Sequence, residues 1–240
     1  MAWAITIVMS SLQLFFTLVG MGRWSWEFIP YYWSVMIFAT LGIQVNVVGI
    51  EKLAGPAIFV MNHQSLVDVV LVPRILPRKI LYVVKKELEK IPFFGPAVCS
   101  TGAIAVNRRD PVAAISSINE GLARLSHQCS VMVFPEGTRT SDGEVKDFKK
   151  GFLHIARASG LPVIPVGISG AMDCCGYQEL VPRPGLIECT VGDPIKMCAD
   201  EDMEMAIARV RDRVCDLETQ SRRRHSFGRR SREAHQLKRV

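Results

Sequence analysis

Residues 57–68 read AIFVMNHQSLVD, an apolar run that passes directly into a polar segment and then into a second apolar pattern. The run from Ala57 to Met61 is short and uninterrupted, which is typical of a strand in the interior of a sheet. Ser65, three residues before Asp68, is typical of a helix N-terminus in which a serine caps the first turn. The segment therefore predicts a buried strand, a short polar loop and a helix.

The same alternation extends from about Gln44 to residue 219. Candidate strands are 44–49, 56–61, 80–84, 103–106, 130–134, 163–168 and 186–191. Candidate helices are 66–76, 86–98, 111–126, 148–159 and 201–219. Strands that alternate with helices predict an α/β domain over residues 44–219, with a mostly parallel sheet flanked by helices.

The first 43 residues form a separate hydrophobic segment. Residues 1–22 contain no charged side chain, and as one helix of about 33 Å they would cross a hydrocarbon core of roughly 30 Å. A second uncharged run, 28–50, opens with Pro30-Tyr-Tyr-Trp33, whose aromatic side chains favour membrane interfaces. We therefore expect residues 1–43 to form a membrane-embedded helical hairpin, spanning or re-entrant. The alternative is a pair of buried core helices.

The positive charge of the chain, formally +6 at pH 7, is concentrated at its C-terminal end. Residues 221–240 carry eight basic side chains and one acidic one, whereas the rest of the chain carries 21 basic and 22 acidic side chains. The segment 220–240 is rich in Ser and Arg without apolar periodicity, so it is predicted to be disordered. A body of net charge −1 argues against nucleic acid as a partner, whereas the tail could contact anionic lipids.

Composition excludes several classes of protein. With 49% hydrophobic and 22% charged residues, the 240-residue chain is not mostly disordered. Its seven cysteines are odd in number and contain no C-x-x-C pair, which favours reduced thiols over a disulfide framework or a zinc knuckle. The sequence has no cluster of metal ligands, and we expect no metal and no bound cofactor.

His63 and Asp68 form the first candidate catalytic pair. Five helical positions turn through about 500°, so these residues would not share one face of a helix. They can meet if His63 lies in the loop and Asp68, in the first helical turn, points back at the imidazole. The carboxylate would then hold one ring nitrogen and leave the other free as a general base. The alternative is a capping box beside a structural histidine.

Two further segments place basic side chains at the ends of predicted strands. Residues 102–109, GAIAVNRR, end in Arg108 and Arg109, at the strand end where α/β folds bind ligands. A planar guanidinium suits phosphate, although a solvated pair of surface charges is the simpler explanation. Residues 131–139, VMVFPEGTR, break into a tight turn that presents Glu136, Thr138 and Arg139 beside backbone N–H groups. A plain connection is the alternative for this turn.

Together these motifs resemble those of the glycerolipid acyltransferases. The set comprises His63-x-x-x-x-Asp68, Gly102 to Arg108, Phe134-Pro-Glu-Gly-Thr-Arg139 and Val163-Ile-Pro-Val-Gly167. It is most similar to the 1-acyl-sn-glycerol-3-phosphate (lysophosphatidic acid) acyltransferase family, and the resemblance covers about residues 44–200. The second motif departs from the family, which often has an aromatic residue in place of Ala105 and an aspartate in place of Asn107.

The resemblance implies a reaction and a set of roles. A fatty acyl group would pass from acyl-CoA or acyl carrier protein to the free hydroxyl of lysophosphatidate, forming phosphatidate in phospholipid synthesis, without an acyl-enzyme. His63 would be the base and Asp68 its orienting partner. The acceptor site would be formed by Arg108 and Arg139 on the phosphate, with Lys85, Glu136, Gly137 and Thr138 around it. The enzyme would contact membrane lipids at a bacterial-type inner membrane or its equivalent, with the catalytic domain facing the cytosol.

Other functions fit parts of the sequence. Glycerol-3-phosphate or another lysolipid could replace lysophosphatidate as the acceptor. A serine hydrolase or lipase is suggested by Gly167-Ile-Ser169-Gly-Ala171, which nearly matches the G-x-S-x-G elbow but lacks its final glycine. The strand 163–168 could equally be a plain core strand. The basic tail would also suit a non-catalytic membrane or nucleic-acid binder.

Overall fold

A single sheet forms the centre of the computed structural model, which describes residues 1–53, 55–76, 79–107, 109–123, 129–198 and 200–237. Its strands are β1 (Ile43–Val48), β2 (Ile58–Met61), β3 (Ile80–Lys85), β4 (Ile104–Val106), β5 (Ser130–Val133), β6 (Val163–Ser169) and β7 (Gly185–Val191). They lie in the order β1-β7-β6-β2-β5-β3-β4, and every adjacent pair is parallel except β6 and β7. The mostly parallel sheet is confirmed, with each predicted strand correct to within two residues at either end.

Helices cover both faces of the sheet. They are α1 (Ala2–Leu18), α2 (Gly22–Leu41), α3 (Val67–Ile75), α4 (Phe94–Ser100), α5 (Pro111–Ala123), α6 (Gly151–Ser159), α7 (Ala171–Cys174) and α8 (Met203–Leu237), with short 3₁₀ helices at Ile50–Lys52 and Lys86–Lys90. The single helix predicted over 86–98 is wrong. Ile91 is extended there because a residue before proline disfavours the helical conformation, and Pro92 has no N–H to donate. The helix predicted from 148 begins only at Gly151, and α7 was not predicted.

The central strand β2 is buried on both faces. Phe59 and Met61 belong to the hydrophobic cluster that includes α3, whereas Ile58 and Val60 belong to the opposite cluster, which includes α6 and α8. All four side chains are completely buried. Because successive strand residues point to opposite faces, only an uninterrupted apolar run can serve both clusters. This explains why the segment 57–61 is apolar at every position. Because β2 is fixed in the core in this way, the loop after Met61 lies at the edge of the sheet.

Helix α8 packs across β6 and β7 and does not end at residue 219. Gly167 permits the close approach, because a Cβ at that position would lie 2.1 Å from the backbone nitrogen of Glu218. Ser221 is fully buried and its hydroxyl donates a hydrogen bond to the carbonyl of Gly167 at 3.0 Å. Arg222 pairs with Glu218 at 3.0 Å. The prediction of a disordered tail is therefore wrong for residues 220–237, which continue α8, and the bond from Ser221 anchors this part of the helix to the sheet. Residues 238–240 of the predicted tail lie outside the described part of the chain.

Helices α1 and α2 form a hairpin that packs against α4 and α3. The Ser34 hydroxyl donates a 2.6 Å hydrogen bond to the carbonyl of Val70, which ties α2 to α3. The hairpin also exposes a set of large apolar side chains that includes Trp3, Val8, Phe15, Leu18, Trp24 and Tyr32. These contradict the alternative of wholly buried core helices. The first helix has 17 residues and not the 22 expected. Among the helices that the structure describes, we find none with the length and apolar character needed to cross a membrane.

Candidate active site

The C-terminal ends of neighbouring parallel strands bring the motif loops together. Val60 of β2 lies opposite Val133 of β5, and Met132 lies opposite Tyr82 of β3. The loop after β2 carries His63, and the loop after β5 begins at Phe134. Ligands in open α/β sheets bind at this edge of the sheet.

His63 and Asp68 meet as the sequence predicts. His63 Nδ1 lies 2.8 Å from Asp68 Oδ2, and the same oxygen accepts hydrogen bonds from the backbone N–H groups of Gln64 at 2.7 Å and Ser65 at 2.8 Å. Asp68 is completely buried in the first turn of α3, where the positive end of the helix dipole favours a negative charge. Three donors and the helix N-terminus thus compensate part of its burial, whereas the buried Oδ1 has no hydrogen-bond partner among the described residues.

The start of α3 differs from the predicted capping box. The N-cap is Leu66, not Ser65, and it makes no side-chain capping bond. The Ser65 hydroxyl instead accepts a hydrogen bond from the N–H of Val67 at 3.2 Å and donates one to the carbonyl of Cys175 at 2.7 Å. This second bond links the catalytic loop to the chain that follows α7.

The imidazole of His63 is held on one side and open on the other. With Nδ1 donating to Asp68, Nε2 keeps its lone pair, and no residue in the described ranges hydrogen-bonds to it. The ring stacks on Phe134 at a centroid distance of 4.1 Å and an interplanar angle of 12°. The side chain is 13% exposed, so the ring is fixed in place but reachable by a substrate.

Glu136 lies beneath this loop. Its Oε1 accepts a 2.7 Å hydrogen bond from the backbone N–H of His63, and its Oε2 accepts one of 3.1 Å from the N–H of Lys146. Burial raises the pKa of Glu136, and the two backbone N–H bonds offset part of the rise. Because both oxygens of this buried carboxylate are taken up by backbone N–H groups, the geometry does not support the expectation that Glu136 lines the acceptor site.

The remainder of the third motif forms a turn beside a basic segment. Gly137 has φ +72, a left-handed conformation that favours glycine, and a Cβ there would approach the Lys149 ammonium to 3.0 Å. Thr138 is exposed. The guanidinium of Arg139 lies over the ring of Tyr177 at 5.2 Å, and Lys146 Nζ donates to the Arg139 carbonyl at 2.8 Å. The turn therefore gathers positive charge beside the His63 loop.

Comparison with known proteins agrees with this geometry. The family model described as Acyltransferase matches residues 44–169, which include β2, the His63 loop and the turn after β5. The chain belongs to the acyltransferase family.

Several curated relatives of this acyltransferase carry one name, 1-acyl-sn-glycerol-3-phosphate acyltransferase. The coconut protein (Cocos nucifera) is 35% identical over 162 residues, which is 67% of this chain and 53% of the relative. The Saccharomyces cerevisiae protein is 34% identical over 183 residues, 73% of this chain and 60% of the relative. This acyltransferase thus spans about half to three-fifths of the length of these relatives.

A solved structure shares the fold of this acyltransferase. The crystal structure of the 1-acyl-sn-glycerophosphate (LPA) acyltransferase PlsC from Thermotoga maritima superposes with a TM-score of 0.72, covering 93% of this chain and 97% of that one. The two sequences are 23% identical. The match confirms the α/β architecture with its mostly parallel sheet.

Lys85, one of the predicted phosphate contacts of the acyltransferase, pairs with a neighbouring carboxylate and not with His63. Lys85, at the end of β3, is exposed and pairs with Glu87 at 3.3 Å. Arg108 lies outside the described residues, two positions after β4. The backbone N–H of Arg109 donates to Asn107 Oδ1 at 3.1 Å. The parallel order β2-β5-β3-β4 places Lys85 and the chain after β4 at the same sheet edge as His63.

Three residues that support the site were missed by sequence reasoning. Asn62 is buried, and its side chain binds both the carbonyl and the N–H of Ile168, at 2.8 and 2.7 Å. A polar residue that directly follows an apolar strand could have indicated this bond between β2 and β6. The sequence around Lys146 and Tyr177 gives no indication of their roles, because their contacts depend on how distant loops fold.

The structure also tests the serine hydrolase alternative. Ser169 is 4% exposed and closes β6, and in the described part of the chain its hydroxyl is hydrogen-bonded to no histidine. A nucleophilic serine requires an exposed hydroxyl next to a base. The acyltransferase therefore has no serine nucleophile at this position. Within the described ranges no group of three or more His, Cys, Asp or Glu side chains is arranged to hold a metal ion.

Proposed function

We propose that this protein transfers a fatty acyl group from acyl-CoA or acyl carrier protein to the free hydroxyl of lysophosphatidate, forming phosphatidate in phospholipid synthesis. The observation that carries the proposal is His63, bound through Nδ1 to Asp68 at 2.8 Å, with Nε2 open beside a basic turn. The name shared by the curated relatives supports this acceptor.

The proposed reaction needs one base and no covalent enzyme intermediate. His63 Nε2 takes the proton of the acceptor hydroxyl while the hydroxyl oxygen attacks the thioester carbonyl. Asp68 keeps the proton on Nδ1 and stabilises the imidazolium that forms. The tetrahedral intermediate then expels the thiolate, which receives the proton from His63. General-base help of this kind contributes about 10²–10⁴ in rate.

The acceptor phosphate would bind to the basic side chains at this edge of the sheet. Arg139 is the central candidate, because its guanidinium lies beside the His63 loop and suits a phosphate bidentately. Lys85 would approach from β3, and Arg108, two positions after β4 in the sequence, is a further candidate. Thr138 could add a hydroxyl. A phosphate held here would leave the glycerol hydroxyl facing the imidazole.

The N-terminal hairpin would embed the protein in the membrane that supplies its lipid substrate. Its exposed face carries Trp3, Phe15, Leu18, Trp24 and Tyr32, and aromatic side chains favour the interface between headgroups and acyl chains. The opposite face is held to the catalytic domain through α3 and α4. We propose a membrane-associated enzyme, at a bacterial-type inner membrane or its equivalent, whose catalytic domain faces the cytosol.

An acyl-transfer assay with purified full-length protein tests the proposal. Lysophosphatidate, glycerol-3-phosphate and lysophosphatidylethanolamine are each paired with acyl-CoA and with acyl carrier protein, and the products are identified by mass spectrometry. Phosphatidate formation that requires lysophosphatidate and is lost in His63→Ala is the expected result. Transfer to glycerol-3-phosphate alone would favour the alternative acceptor. Thioester hydrolysis without transfer would reject the proposal.

A further inference from the structure

Tyr177 contacts a residue of the third motif although it lies outside every motif. It follows α7, 38 positions after Arg139, and its ring lies under the Arg139 guanidinium at 5.2 Å. The tyrosine is 38% exposed, so it is not a core residue that happens to pass nearby. A guanidinium over an aromatic face is attracted by the negative face of the ring.

The turn that carries Tyr177 is anchored at several points. The hydroxyl of Ser65, which lies two residues after His63 in sequence, donates a 2.7 Å hydrogen bond to the carbonyl of Cys175. The N–H of Gly176 donates to Glu179 Oε2 at 2.9 Å, and Glu179 pairs in turn with Arg183. Tyr177 therefore lies in a turn that is held by hydrogen bonds and an ion pair, and Cys175 at its start is bonded to the loop that carries His63.

The Arg139 guanidinium has an unused hydrogen-bond donor, although the backbone around it is fixed. Its backbone is fixed, because its carbonyl accepts from Lys146 Nζ and the following residue, Thr140, donates its N–H to the carbonyl of His63 at 2.9 Å. Its Nη1 is buried and finds no hydrogen-bond partner among the described residues. An attraction between the guanidinium and a ring face uses none of the N–H donors of the arginine, and these are the donors that bind phosphate.

We propose that Tyr177 is a positioning residue for the acceptor phosphate: its ring holds the Arg139 guanidinium flat, with its donors directed to a phosphomonoester. This inference rests on the proposed function and deepens it. Tyr177 touches no reacting atom, so it acts on the binding of the phosphate-bearing acceptor and not on the thioester. The specificity of the site for phosphorylated acceptors thus depends on a residue that follows α7.

A double-mutant cycle tests this role. Tyr177→Leu removes the ring at similar volume and should raise the KM for lysophosphatidate roughly 2- to 30-fold, with kcat and the donor KM unchanged. Tyr177→Phe keeps the ring and should stay within about twofold of the wild type, since the ring face provides the attraction. In an Arg139→Ala background, Tyr177→Leu should have no further effect. Val181→Ala, on the exposed side of the same turn, is the matched control.

Direct binding of lysophosphatidate in detergent micelles, followed by calorimetry without any donor, separates this inference from the proposed reaction. Wild-type binding that Tyr177→Leu weakens and Tyr177→Phe preserves supports the positioning role even if no transfer occurs, in which case the proposed function alone fails. The inference is overturned if Tyr177→Leu acts equally with and without Arg139, if it changes the donor KM, or if the wild type does not bind lysophosphatidate.

Discussion

Glu136 Oε1 accepts a hydrogen bond from the backbone N–H of His63 at 2.7 Å, so the third motif directly supports the first. The same carboxylate reaches the N–H of Lys146 through its other oxygen. One buried side chain thereby joins the loop after β2 to the loop after β5. The position of the His63 imidazole is then set from two sides, by Asp68 on the ring and by Glu136 on the backbone.

Replacing Glu136 with glutamine should show whether this residue supports the His63 loop or binds the acceptor. The amide nitrogen of glutamine would face one of the two backbone N–H groups, which leaves a partly buried donor without a partner. We expect the free energy of unfolding to fall by about 1–3 kcal/mol and kcat to fall while the acceptor KM stays constant. Urea unfolding and steady-state kinetics measure these quantities, with the exposed Glu51→Gln as control. A rise in acceptor KM alone would instead make Glu136 a ligand of the acceptor.

The pH dependence of stability gives an independent test of the same residue. Burial raises the pKa of Glu136 above its ordinary value of 4.5. The folded state therefore holds this proton more tightly than the unfolded chain does, and the resulting stability is complete below pH 4.5 and lost as the pH rises through the folded pKa. Relative to Glu136→Gln, the wild type should lose unfolding free energy over that interval and then level off. Unfolding curves in detergent at several pH values would measure this loss. A rise in the unfolding free energy of the wild type over the same interval would contradict a raised pKa for Glu136.

The catalytic pair can be tested with two substitutions of different kinds. His63→Ala removes the base and should reduce kcat by about 10²–10⁴ while leaving the fold intact, because the bonds that Glu136 and Asp68 accept from the loop backbone do not involve the ring. Asp68→Asn should also cost orders of magnitude, since an amide can donate to Nδ1 and so favour the wrong tautomer. Circular dichroism checks folding beside the transfer assay. Near-normal turnover by His63→Ala would show that another group is the base.

The fold was largely predictable because it depends on local patterns. The run 57–61 had to be a buried strand, and the alternation around it identified every strand of the sheet. The His63 and Asp68 contact was also predictable, since a five-residue spacing across a loop and a helix start leaves few geometries. The features that the sequence did not predict depend on contacts between residues far apart in the chain. Nothing near Ser221 indicates that it is buried against Gly167, and nothing near Tyr177 indicates Arg139.

Gly167 in the fourth motif has a packing role that a single methyl group can test. In Gly167→Ala the new Cβ would lie 2.1 Å from the Glu218 nitrogen and 2.2 Å from the Leu217 carbonyl carbon, so α8 must move away from β6. We expect a loss of about 1–3 kcal/mol in the free energy of unfolding. Gly55→Ala, where the added Cβ meets nothing within 4 Å, is the control and should change stability little. Equal stability of both variants would mean that the helix accommodates the methyl group.

The basic residues near the C-terminal end fall into two groups, those before Gly228, two of which pair with named residues, and those after it. Arg222 pairs with Glu218 within α8 and with Glu144 in the loop after β5, whereas Arg224 binds Glu188 and Thr190 of β7 and so holds α8 to the sheet. A chain that ends at Gln220 would lose them together with the buried Ser221. Five basic residues lie beyond Gly228, namely Arg229, Arg230, Arg232, Lys238 and Arg239.

A chain that ends at Gly228 should therefore keep its fold and its transfer rate on detergent-dispersed substrate, whereas one that ends at Gln220 should be destabilised. Each Lys or Arg near an anionic membrane contributes about 1 kcal/mol, an effect that decays within about 8 Å at physiological salt. The Gly228 chain should consequently bind anionic vesicles more weakly than full length at low salt, and the difference should shrink as salt is raised. Vesicle co-sedimentation at two salt concentrations measures this. Identical binding of both chains at low salt would show that the five residues make no contact with anionic lipid.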